Sequence, residues 1–429
     1  MSDKLDVIIF GASGFSGGYV VHQLYKICKK DNQDVKWGLA GRSTTRLQAT
    51  LKNLELKTGS SLLHDVPIFE ADTTNEASLE EVASKARLII NCTGPYKFHG
   101  EPVVKACIRQ KCHYVDLNAE PQFMERMQLV YNEEAAKNGV YVVTSCGIDN
   151  IPADIGLEFL RRSFKGSLNS VECYVELIPE GSFGKGAVAN YGTWQSFLYT
   201  MGDYAELRKI RTELFKTPLP KLEPKLPLRR CLHKIPFSNT YAGPYPGGEA
   251  TVMRRSQRYF YEQDHVRPIQ IHTYVGPPKF WQYILLFVAF ILGASLIRLI
   301  PSVVKILLKH PKLLTLGFFD SKKQPAEDVL AKIKFAATFR GRGWKGKIVD
   351  EKFKEAEDSW MVAKVSGTDP YEITGICAAA AAIVLLDDGQ SLPKRGGVYT
   401  TAAAFANTNL VEVLQRHGLK FDIIGEGRL

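Results

Sequence analysis

Short runs of apolar residues divide the first third of the chain into a regular alternation. Each run is rich in Val and Ile, and stretches with helical spacing of apolar positions separate one run from the next. The runs occupy residues 6–10, 35–40, 66–71, 87–92, 112–117 and 140–145. Strands that are covered on both faces have this continuous apolar character. The alternation predicts an α/β fold with an N-terminal, doubly wound parallel sheet.

A second pattern begins near residue 156. Alternating apolar and polar positions predict longer, antiparallel strands, and an alanine-rich run at 375–388 predicts a tightly packed helix. The predicted strands cover residues 170–177, 267–276, 334–344 and 355–375. We therefore expect three parts: the parallel-sheet domain at 1–155, an inserted α+β domain with an antiparallel or mixed sheet at 156–375, and C-terminal helices at 376–429 that return to the first domain.

One segment, Trp281 to Ile300, is strongly apolar. It contains most of a run of 18 residues between Lys279 and Arg298 that carries no charge. A helix of that length reaches about 27 Å, close to the thickness of the hydrocarbon core of a bilayer. The strands predicted before and after this segment belong to one sheet, however, so both flanks should lie in the same compartment. This argues against full spanning and leaves two alternatives, a buried core helix or half of a hairpin in a lipid interface.

The residues around the apolar run favour the interfacial alternative. Pro301 would end the helix, and residues 302–319 are amphipathic and basic, which suits a layer of anionic headgroups. Trp281 and Tyr283 stand at the entry of the run, where aromatic rings favour an interface. We therefore expect residues 280–319 to bind a lipid monolayer or membrane surface as a hydrophobic membrane-associating segment.

The net charge of +10 is unevenly spread along the chain. Residues 207–234 contain nine Lys or Arg against two acidic residues, and residues 298–323 contain six against one. The second cluster directly follows the apolar run, and no nucleic-acid-binding motif is found, so anionic lipid is the expected partner and nucleic acid is not. A solvated basic surface remains the alternative.

The cysteines and the N-terminus indicate the compartment. The eight cysteines form no CxxC pair, and no Cys/His cluster has zinc spacing, so no metal site is predicted. The first ten residues run directly into a strand without a signal peptide. Together these features predict a reduced, cytosol-facing compartment and a protein that is not secreted.

The first apolar run leads into GASGFSG, in which Gly11, Gly14 and Gly17 are three residues apart. Small residues allow a tight turn and a close approach of the backbone to a pyrophosphate, which the N-terminal N–H groups of the next helix then face. Because these glycines lie between a strand and a helix at the start of a six-strand pattern, we predict a dinucleotide-binding Rossmann domain. A tight turn without a ligand is the alternative.

The end of the second strand indicates which dinucleotide binds. Gly41, Arg42 and Ser43 stand where an Asp or Glu would accept hydrogen bonds from the ribose of NADH. A guanidinium beside a hydroxyl suits the 2′-phosphate instead, so NADPH is favoured over NADH. Alternatively, Ser43 caps the next helix and Arg42 is a solvated residue. Asp72, at the end of the third strand, is expected near the adenine or as a helix cap.

Two further strand ends hold candidate site residues. The fourth strand ends in NCTGPYKFHGEP, where Thr93 and Gly94 are expected to contact the cofactor and Tyr96 and His99 are weak catalytic candidates. A turn and a helix start explain the same residues without chemistry. The sixth strand is followed by GIDNIPADIG, in which Asp149 is the third weak catalytic candidate. Alternatively, Asp149 or Asn150 is a helix N-cap.

Seven motifs occur in order along nearly the whole chain. They are VIIFGASGFSG, AGRS, NCTGPY, YVDLNAE, GIDNIPADIG, GTWQS and GGVYTTAAAF. In this order they resemble the saccharopine dehydrogenase-like oxidoreductases of animals and are similar to the bacterial trans-acting enoyl reductases. The resemblance implies a Rossmann domain, a mixed α+β second domain, a nicotinamide cofactor and association with lipid droplets and membranes. It carries cofactor binding onto Gly11, Ser13, Gly14, Phe15, Gly17, Arg42, Thr93 and Gly94, and Ser16 belongs to the same loop.

The favoured function is an NAD(P)-dependent oxidoreductase at a lipid droplet or a cytosol-facing membrane. Its expected substrate is a small molecule or lipid, hydrophobic and related to lipid or glycolipid metabolism. One alternative is a catalytically silent, nucleotide-binding lipid-droplet protein. The other is a soluble amino-acid dehydrogenase of saccharopine type, for which no convincing set of charged substrate-binding residues can be mapped. Association with mitochondria and a homodimeric state are further expectations that the sequence leaves open.

Overall fold

The computed structural model describes most of the chain and contains two seven-stranded sheets. The described residues are 4–60, 62–181, 187–238, 240–244, 247–276, 293, 295–297, 300, 302–315, 317–348, 350, 353–387, 389 and 391–429. Trp281, Tyr283 and Pro301 lie outside these residues, as does most of the apolar segment, so its predicted helix is not described.

The first sheet is parallel throughout and has the strand order β3-β2-β1-β4-β5-β6 with one more strand beyond β6. Its strands are β1 Leu5–Phe10, β2 Trp37–Gly41, β3 Ile68–Glu70, β4 Ala86–Asn91, β5 His113–Asp116, β6 Tyr141–Val143 and β13 Gly397–Tyr399. The first six are the predicted strands, so the doubly wound Rossmann-like fold is confirmed. The order reverses between β1 and β4, and a dinucleotide binds at such a switch point.

Helices connect these strands and flank the sheet. They are α1 Phe15–Lys30, α2 Thr44–Thr58, α3 Glu76–Ser84, α4 Tyr96–Arg109, α5 Pro121–Asn138 and α6 Ile151–Ser163. Local chemistry sets several of their ends. Ser43 Oγ accepts a hydrogen bond from the Arg46 N–H, which caps α2, and Gly139 ends α5 with a φ of 69° that glycine adopts without a steric penalty.

The second sheet is mixed. Its strands are β7 Ser167–Pro179, β8 His233–Lys234, β9 Tyr241–Pro244, β10 Gln270–Gly276, β11 Ile333–Trp344, β12 Ser359–Thr368 and β14 Lys420–Arg428. They follow the order β14-β12-β11-β7-β10-β9-β8, and only the β7–β10 pair is parallel among these strands.

The remaining helices belong to the second half of the chain. They are α7 Tyr191–Gly202, α8 Tyr204–Leu214, α9 Gly248–Asp264, α10 Val303–Lys309, α11 Pro311–Leu314, α12 Glu327–Leu330, α13 Pro370–Asp387, α14 Thr401–Phe405 and α15 Leu410–Arg416. After α13 the chain contributes a strand to each sheet, β13 to the first and β14 to the second.

The predicted strand at 355–375 is wrong in its second half. Strand β12 ends at Thr368, and α13 begins at Pro370. Asp369 causes the change, because its Oδ1 accepts the N–H groups of Tyr371 and Glu372 and so caps a helix that begins with proline. The helix predicted from the alanine run therefore starts five residues earlier than expected.

Helix α13 joins the two halves of the molecule. Its alanines at 378–382 are fully buried, and a Cβ at Gly375 would lie only 2.7 Å from the carbonyl oxygen of Tyr19 on α1, so the two helices are in close contact. Among the described residues, α13 is the single helix with the length and apolarity to cross a membrane, and 67% of that apolar window is buried in the protein. Its hydrophobic character is accounted for by the core that it shares with both sheets.

Candidate functional site

A cleft of about 220 Å³ opens at the carboxyl edge of the first sheet, around the ends of β1, β2 and β4. Seven of the twelve predicted cofactor-binding residues line it: Gly11, Ser13, Gly14, Gly41, Arg42, Thr93 and Gly94. His99, a catalytic candidate, lines it too. Four more lining residues were not among the predicted site residues: Phe10, Arg46, Thr73 and Cys92.

The glycine loop leaves room for a pyrophosphate because side chains are excluded from it. Gly11 has a φ of +80°, and a Cβ there would lie 2.7 Å from Thr93 Cγ2. A Cβ at Gly17 would overlap the carbonyl oxygen of Gly11, so the start of α1 packs directly on the loop. Gly14 is the N-cap of α1, which places the positive end of a 16-residue helix dipole at the cleft. The loop therefore fits a dinucleotide phosphate.

Phe15, Ser16 and Gly17 do not line the cleft. The Phe15 ring packs against Tyr371 at 4.8 Å and against Tyr19 at 5.4 Å between ring centroids, both edge-to-face. Gly17 is buried beneath the loop, where its lack of a side chain is a packing requirement. Contacts of Phe15, Ser16 and Gly17 with the cofactor stay predictions, and the packing of Phe15 and Gly17 supports the loop from behind.

Two guanidinium groups stand at the predicted position of the 2′-phosphate. Arg42 is exposed at the end of β2, and Arg46 lies on the first turn of α2; both line the cleft. Ser43 caps α2 by accepting the Arg46 N–H at 3.4 Å, which fixes the backbone between the two arginines. The residues that line the cleft include no carboxylate in the part of the chain that the structure describes. This donor set fits a phosphate dianion.

Asp72 forms a turn of its own. It accepts the N–H of Thr74 at 2.8 Å and the Thr74 hydroxyl at 2.7 Å, and these hydrogen bonds hold the pKa of Asp72 below its usual range. The cap of α3 is Asn75, whose side chain accepts the Ser78 N–H. The alternative that Asp72 caps the following helix is therefore wrong, because the carboxylate is already used within its own turn.

His99 faces the cleft from α4. Its Nδ1 lies 2.9 Å from the Thr73 hydroxyl. Partial burial, and secondarily the positive charge of Arg42, lower the pKa of His99, so the ring is neutral at pH 7. A neutral imidazole held by a hydroxyl can position a ligand through its second nitrogen.

The hydroxyl of Tyr96 is occupied by two hydrogen bonds to the backbone and is not available for catalysis. The hydroxyl donates to the Asn91 carbonyl oxygen at 2.8 Å and accepts the Leu117 N–H at 3.2 Å. Burial raises the pKa of Tyr96 well above its usual range. The side chain therefore ties the end of β4 to the end of β5 beneath the cleft.

Glu120 explains why three of the sequence motifs occur together. Its carboxylate accepts the N–H groups of Tyr96 and Lys97, each at 2.9 Å, and the Ser196 hydroxyl at 2.7 Å. It therefore caps α4 from a distance and joins the first domain to α7. The motifs NCTGPY, YVDLNAE and GTWQS meet at this one carboxylate.

Asp149 lies in the loop that follows β6 and does not line the cleft. Part of its side chain is open to solvent, yet the surrounding protein removes enough water to raise the pKa of Asp149. A second carboxyl within electrostatic reach is Glu249, on the first turn of α9, which the sequence analysis missed. Glu249 is 2% exposed, and burial, with the charge of Asp149 as the second cause, raises its pKa to about 8.

Comparison with known proteins supports a nucleotide-binding first domain. Residues 7–143 match the family model of the saccharopine dehydrogenase NADP binding domain. The chain is 36% identical over 436 residues to the saccharopine dehydrogenase-like oxidoreductase of Rattus norvegicus, and the match covers 99% of this chain and 98% of that one. It is 35% identical over 431 residues to the lipid droplet localized protein of Caenorhabditis elegans, with 99% of each chain covered.

A solved structure shows the same fold over the whole chain. Apo saccharopine dehydrogenase (L-Glu forming) from Saccharomyces cerevisiae superposes with a TM-score of 0.54 at 14% identity, over 98% of this chain and 100% of that one. At this identity the likeness concerns the fold alone. The relatives, the matched domain and the cleft lead to one conclusion: the chain belongs to the saccharopine dehydrogenase-like oxidoreductase family and binds NADP(H) through its first domain.

Proposed function

We propose that this oxidoreductase is an NADPH-dependent reductase that works at a lipid surface on a hydrophobic, lipid-related substrate. When bound, NADPH supplies a hydride to an electron-poor carbon. The protein holds the phosphates at the Gly11–Gly17 loop, reads the 2′-phosphate with Arg42 and Arg46, and keeps His99 neutral beside the cofactor cleft.

The observation that carries the lipid proposal is the surface of α10 and α11. Ile306 is 60% exposed and Leu313 is 77% exposed, and Leu314 lies beside them. Three lysines, Lys305, Lys309 and Lys312, are interspersed with these residues. An apolar surface that is flanked by cations suits an anionic lipid surface, and insertion of one leucine side chain contributes about 2 kcal/mol.

This lipid-facing surface is fixed to the rest of the protein through α7. The Trp194 indole N–H donates to the Leu307 carbonyl oxygen at 3.0 Å, and the Tyr191 hydroxyl donates to that of Leu308 at 2.9 Å. The same helix carries Ser196, whose hydroxyl donates to Glu120, the residue whose carboxylate caps α4. The lipid-facing helices are therefore connected to the helix that carries His99, which supports a substrate taken from the lipid phase.

The relative from Caenorhabditis elegans is named for its lipid droplet location, which supports the same location for this chain. A second candidate is a catalytically silent nucleotide-binding protein at the droplet. It is favoured by one observation, that the hydroxyl of Tyr96 is committed to the backbone. The two candidates differ in whether bound NADPH is consumed when lipid is added.

Flotation with liposomes containing anionic phospholipid tests the proposal. Wild type should float, and Leu313→Lys should float much less, because it places a charge in the apolar surface. Leu56→Lys is the matched control, because Leu56 on α2 is 78% exposed and far from that surface in the sequence. Equal flotation of both variants and wild type would contradict the lipid assignment.

A further inference from the structure

A set of buried polar side chains gathers where β6 ends. Thr144, Ser145 and Asn150 each keep a buried oxygen without a hydrogen-bond partner among the described residues. Ser145 has a φ of 71°, and its N–H donates to Asp116 Oδ1 at 2.7 Å. A non-glycine residue is strained in that conformation, and here a buried carboxylate maintains it. The loop is therefore held in one defined shape while its side-chain oxygens stay unused.

The start of α9 closes over this loop. A Cβ at Gly248 would lie 3.4 Å from Asn150 Oδ1 and 3.3 Å from the Ala119 carbonyl oxygen, so the helix end touches the loop directly. Asp149 precedes Asn150, and Glu249 follows Gly248, which brings the two carboxyl groups into one small region. Glu249 Oε2 is buried and has no partner in the part of the chain that is described.

Glu249 has less support from other residues than the structural carboxyls of the same protein. Glu120 accepts three hydrogen bonds, and Asp154 accepts three at its Oδ2 although its Oδ1 has no partner among the described residues. A buried carboxylate without such donors costs far more free energy than a protonated carboxyl in the same place. The position thus favours the neutral acid form of Glu249, which carries a transferable proton.

The groups that face this carboxyl come from several elements. Asp149 faces it from the loop after β6 and Cys173 from β7, and the Tyr371 hydroxyl, on α13, lies within electrostatic reach of Asp149. Tyr371 accepts the Asn190 N–H at 2.7 Å, and its ring packs on Phe15 of the glycine loop. Tyr371 therefore packs on the glycine loop while its hydroxyl lies within electrostatic reach of Asp149.

The strand order places the pair on the second half of the dinucleotide site. Arg42 follows β2, Gly11 follows β1, and Thr93 follows β4. A dinucleotide at this switch point would therefore have its adenosine end at β2 and its nicotinamide half toward β5 and β6. Asp149 follows β6 in this series. The carboxyl pair lies on the side of the sheet to which the nicotinamide half is directed.

We propose that Glu249 is the proton donor of the reductive reaction and that Asp149 carries protons from solvent to it. The inference rests on the proposed reductase function. The Glu249 O–H bond breaks, and its proton goes to the electron-rich atom of the double bond that is reduced. The electron-poor carbon of that bond would take the hydride that bound NADPH would supply on becoming NADP⁺. The Glu249 carboxylate then regains a proton from Asp149, which is open to solvent, and Asp149 is reprotonated by water.

Infrared spectroscopy of the full chain without cofactor tests the state of the pair. Wild type at pH 7 should show the C=O stretch of a protonated carboxyl that disappears as the pH is raised, and Glu249→Gln should lose one such carboxyl per chain. Asp149→Asn should move the titration to lower pH, because the neighbouring charge is removed. Glu262→Gln is the matched control on the exposed side of α9 and should keep the band. An unchanged spectrum in Glu249→Gln would overturn the proposal.

Fluorescence of bound NADPH separates this inference from the proposed function. The emission of the reduced nicotinamide should change with pH in wild type, over the range where the infrared band titrates, and should be independent of pH in Glu249→Gln with the affinity for NADPH retained. If NADPH binds but its emission shows the same pH dependence in both proteins, the pair does not face the nicotinamide and the inference fails. If NADPH does not bind at all, the proposed function fails.

Discussion

Asp154 and Thr401 are hydrogen-bonded at 2.8 Å although 247 residues separate them in the chain. The same Asp154 Oδ2 accepts the Ser256 hydroxyl at 2.8 Å and the Ala402 N–H at 2.7 Å. One carboxylate thus joins α6, α9 and α14. The motifs GIDNIPADIG and GGVYTTAAAF meet here as a structural connection.

Replacement of Asp154 by alanine should destabilise the protein. Three buried donors would lose their acceptor, which costs about 2–4 kcal/mol in the free energy of unfolding. Chemical denaturation measures this loss. Asp154→Asn keeps one acceptor oxygen and should lose less, and Asp422→Ala, at an exposed position, should be close to neutral. A loss in Asp154→Ala no larger than in Asp422→Ala would contradict the structural role.

Substitutions of Gly17 and Gly18, two neighbouring glycines, test the geometry of the glycine loop, with Gly18 as the control. In Gly17→Ala the methyl group would overlap the Gly11 carbonyl oxygen, whereas in Gly18→Ala it would meet no atom within 4 Å. We expect Gly17→Ala to lose most of its affinity for NADPH because the loop must shift away from the phosphates. Gly18→Ala should bind like wild type. Titration calorimetry measures both, and similar affinities for the two variants would refute the loop geometry.

The two arginines should determine the preference for NADPH. Loss of a charge-assisted contact to the 2′-phosphate costs about 1.5–3 kcal/mol, so Arg42→Ala should bind NADPH about 10- to 100-fold more weakly. Its affinity for NADH, which lacks that phosphate, should change little. Arg46→Ala should act in the same direction, and Arg230→Ala, on an exposed loop, serves as the charge control. An equal loss for both cofactors in Arg42→Ala would show that the residue does not contact the 2′-phosphate.

The pH dependence of stability should report Glu249. Burial raises its pKa from 4.5 to about 8 in the folded protein. Between these values the folded chain holds a proton that the unfolded chain has released, so the stabilisation is complete below the unfolded pKa and is lost as the pH rises through the folded one. Over this range the group lowers the free energy of unfolding by about 1.4 kcal/mol per pH unit.

Glu249→Gln removes that dependence because the amide does not titrate. The free energy of unfolding of the variant, relative to that of wild type, should therefore rise from pH 5 to pH 8. The slope of this difference should correspond to one titrating proton. Asp116 and Asp154, whose pKa values burial also raises, are present in both proteins and cancel in the difference. Parallel stability curves for the two proteins would mean that Glu249 is already ionised in the folded state.

The first domain was predictable from sequence because its signals are local. Val- and Ile-rich runs define buried strands, and Gly11, Gly14 and Gly17 define a phosphate loop from their spacing and their place between a strand and a helix. Strand β13 gave no such signal, since it depends on pairing with β6, a strand distant in the chain. Asp369 was the local signal for the end of β12 that could have been used.

The site was less predictable because its residues act through tertiary contacts. Tyr96 looks catalytic in the sequence, and only the positions of Asn91 and Leu117 show that its hydroxyl is committed. Glu249 lies in an ordinary amphipathic helix. Its burial depends on the contact between the start of α9 and the loop after β6, which the sequence does not show. Arg46 was within reach of sequence reasoning, since it lies four residues after Arg42 on the first turn of a helix that Ser43 caps.

The central claim is that one molecule holds NADPH while it is bound to lipid. Flotation of the wild-type protein on anionic liposomes in the presence of NADPH, followed by measurement of NADPH fluorescence in the floated fraction, tests it directly. The account predicts one NADPH per floated chain, and loss of that signal with Leu313→Lys because the protein itself no longer floats. Floated protein without NADPH, or release of the protein from lipid when NADPH binds, would contradict the account.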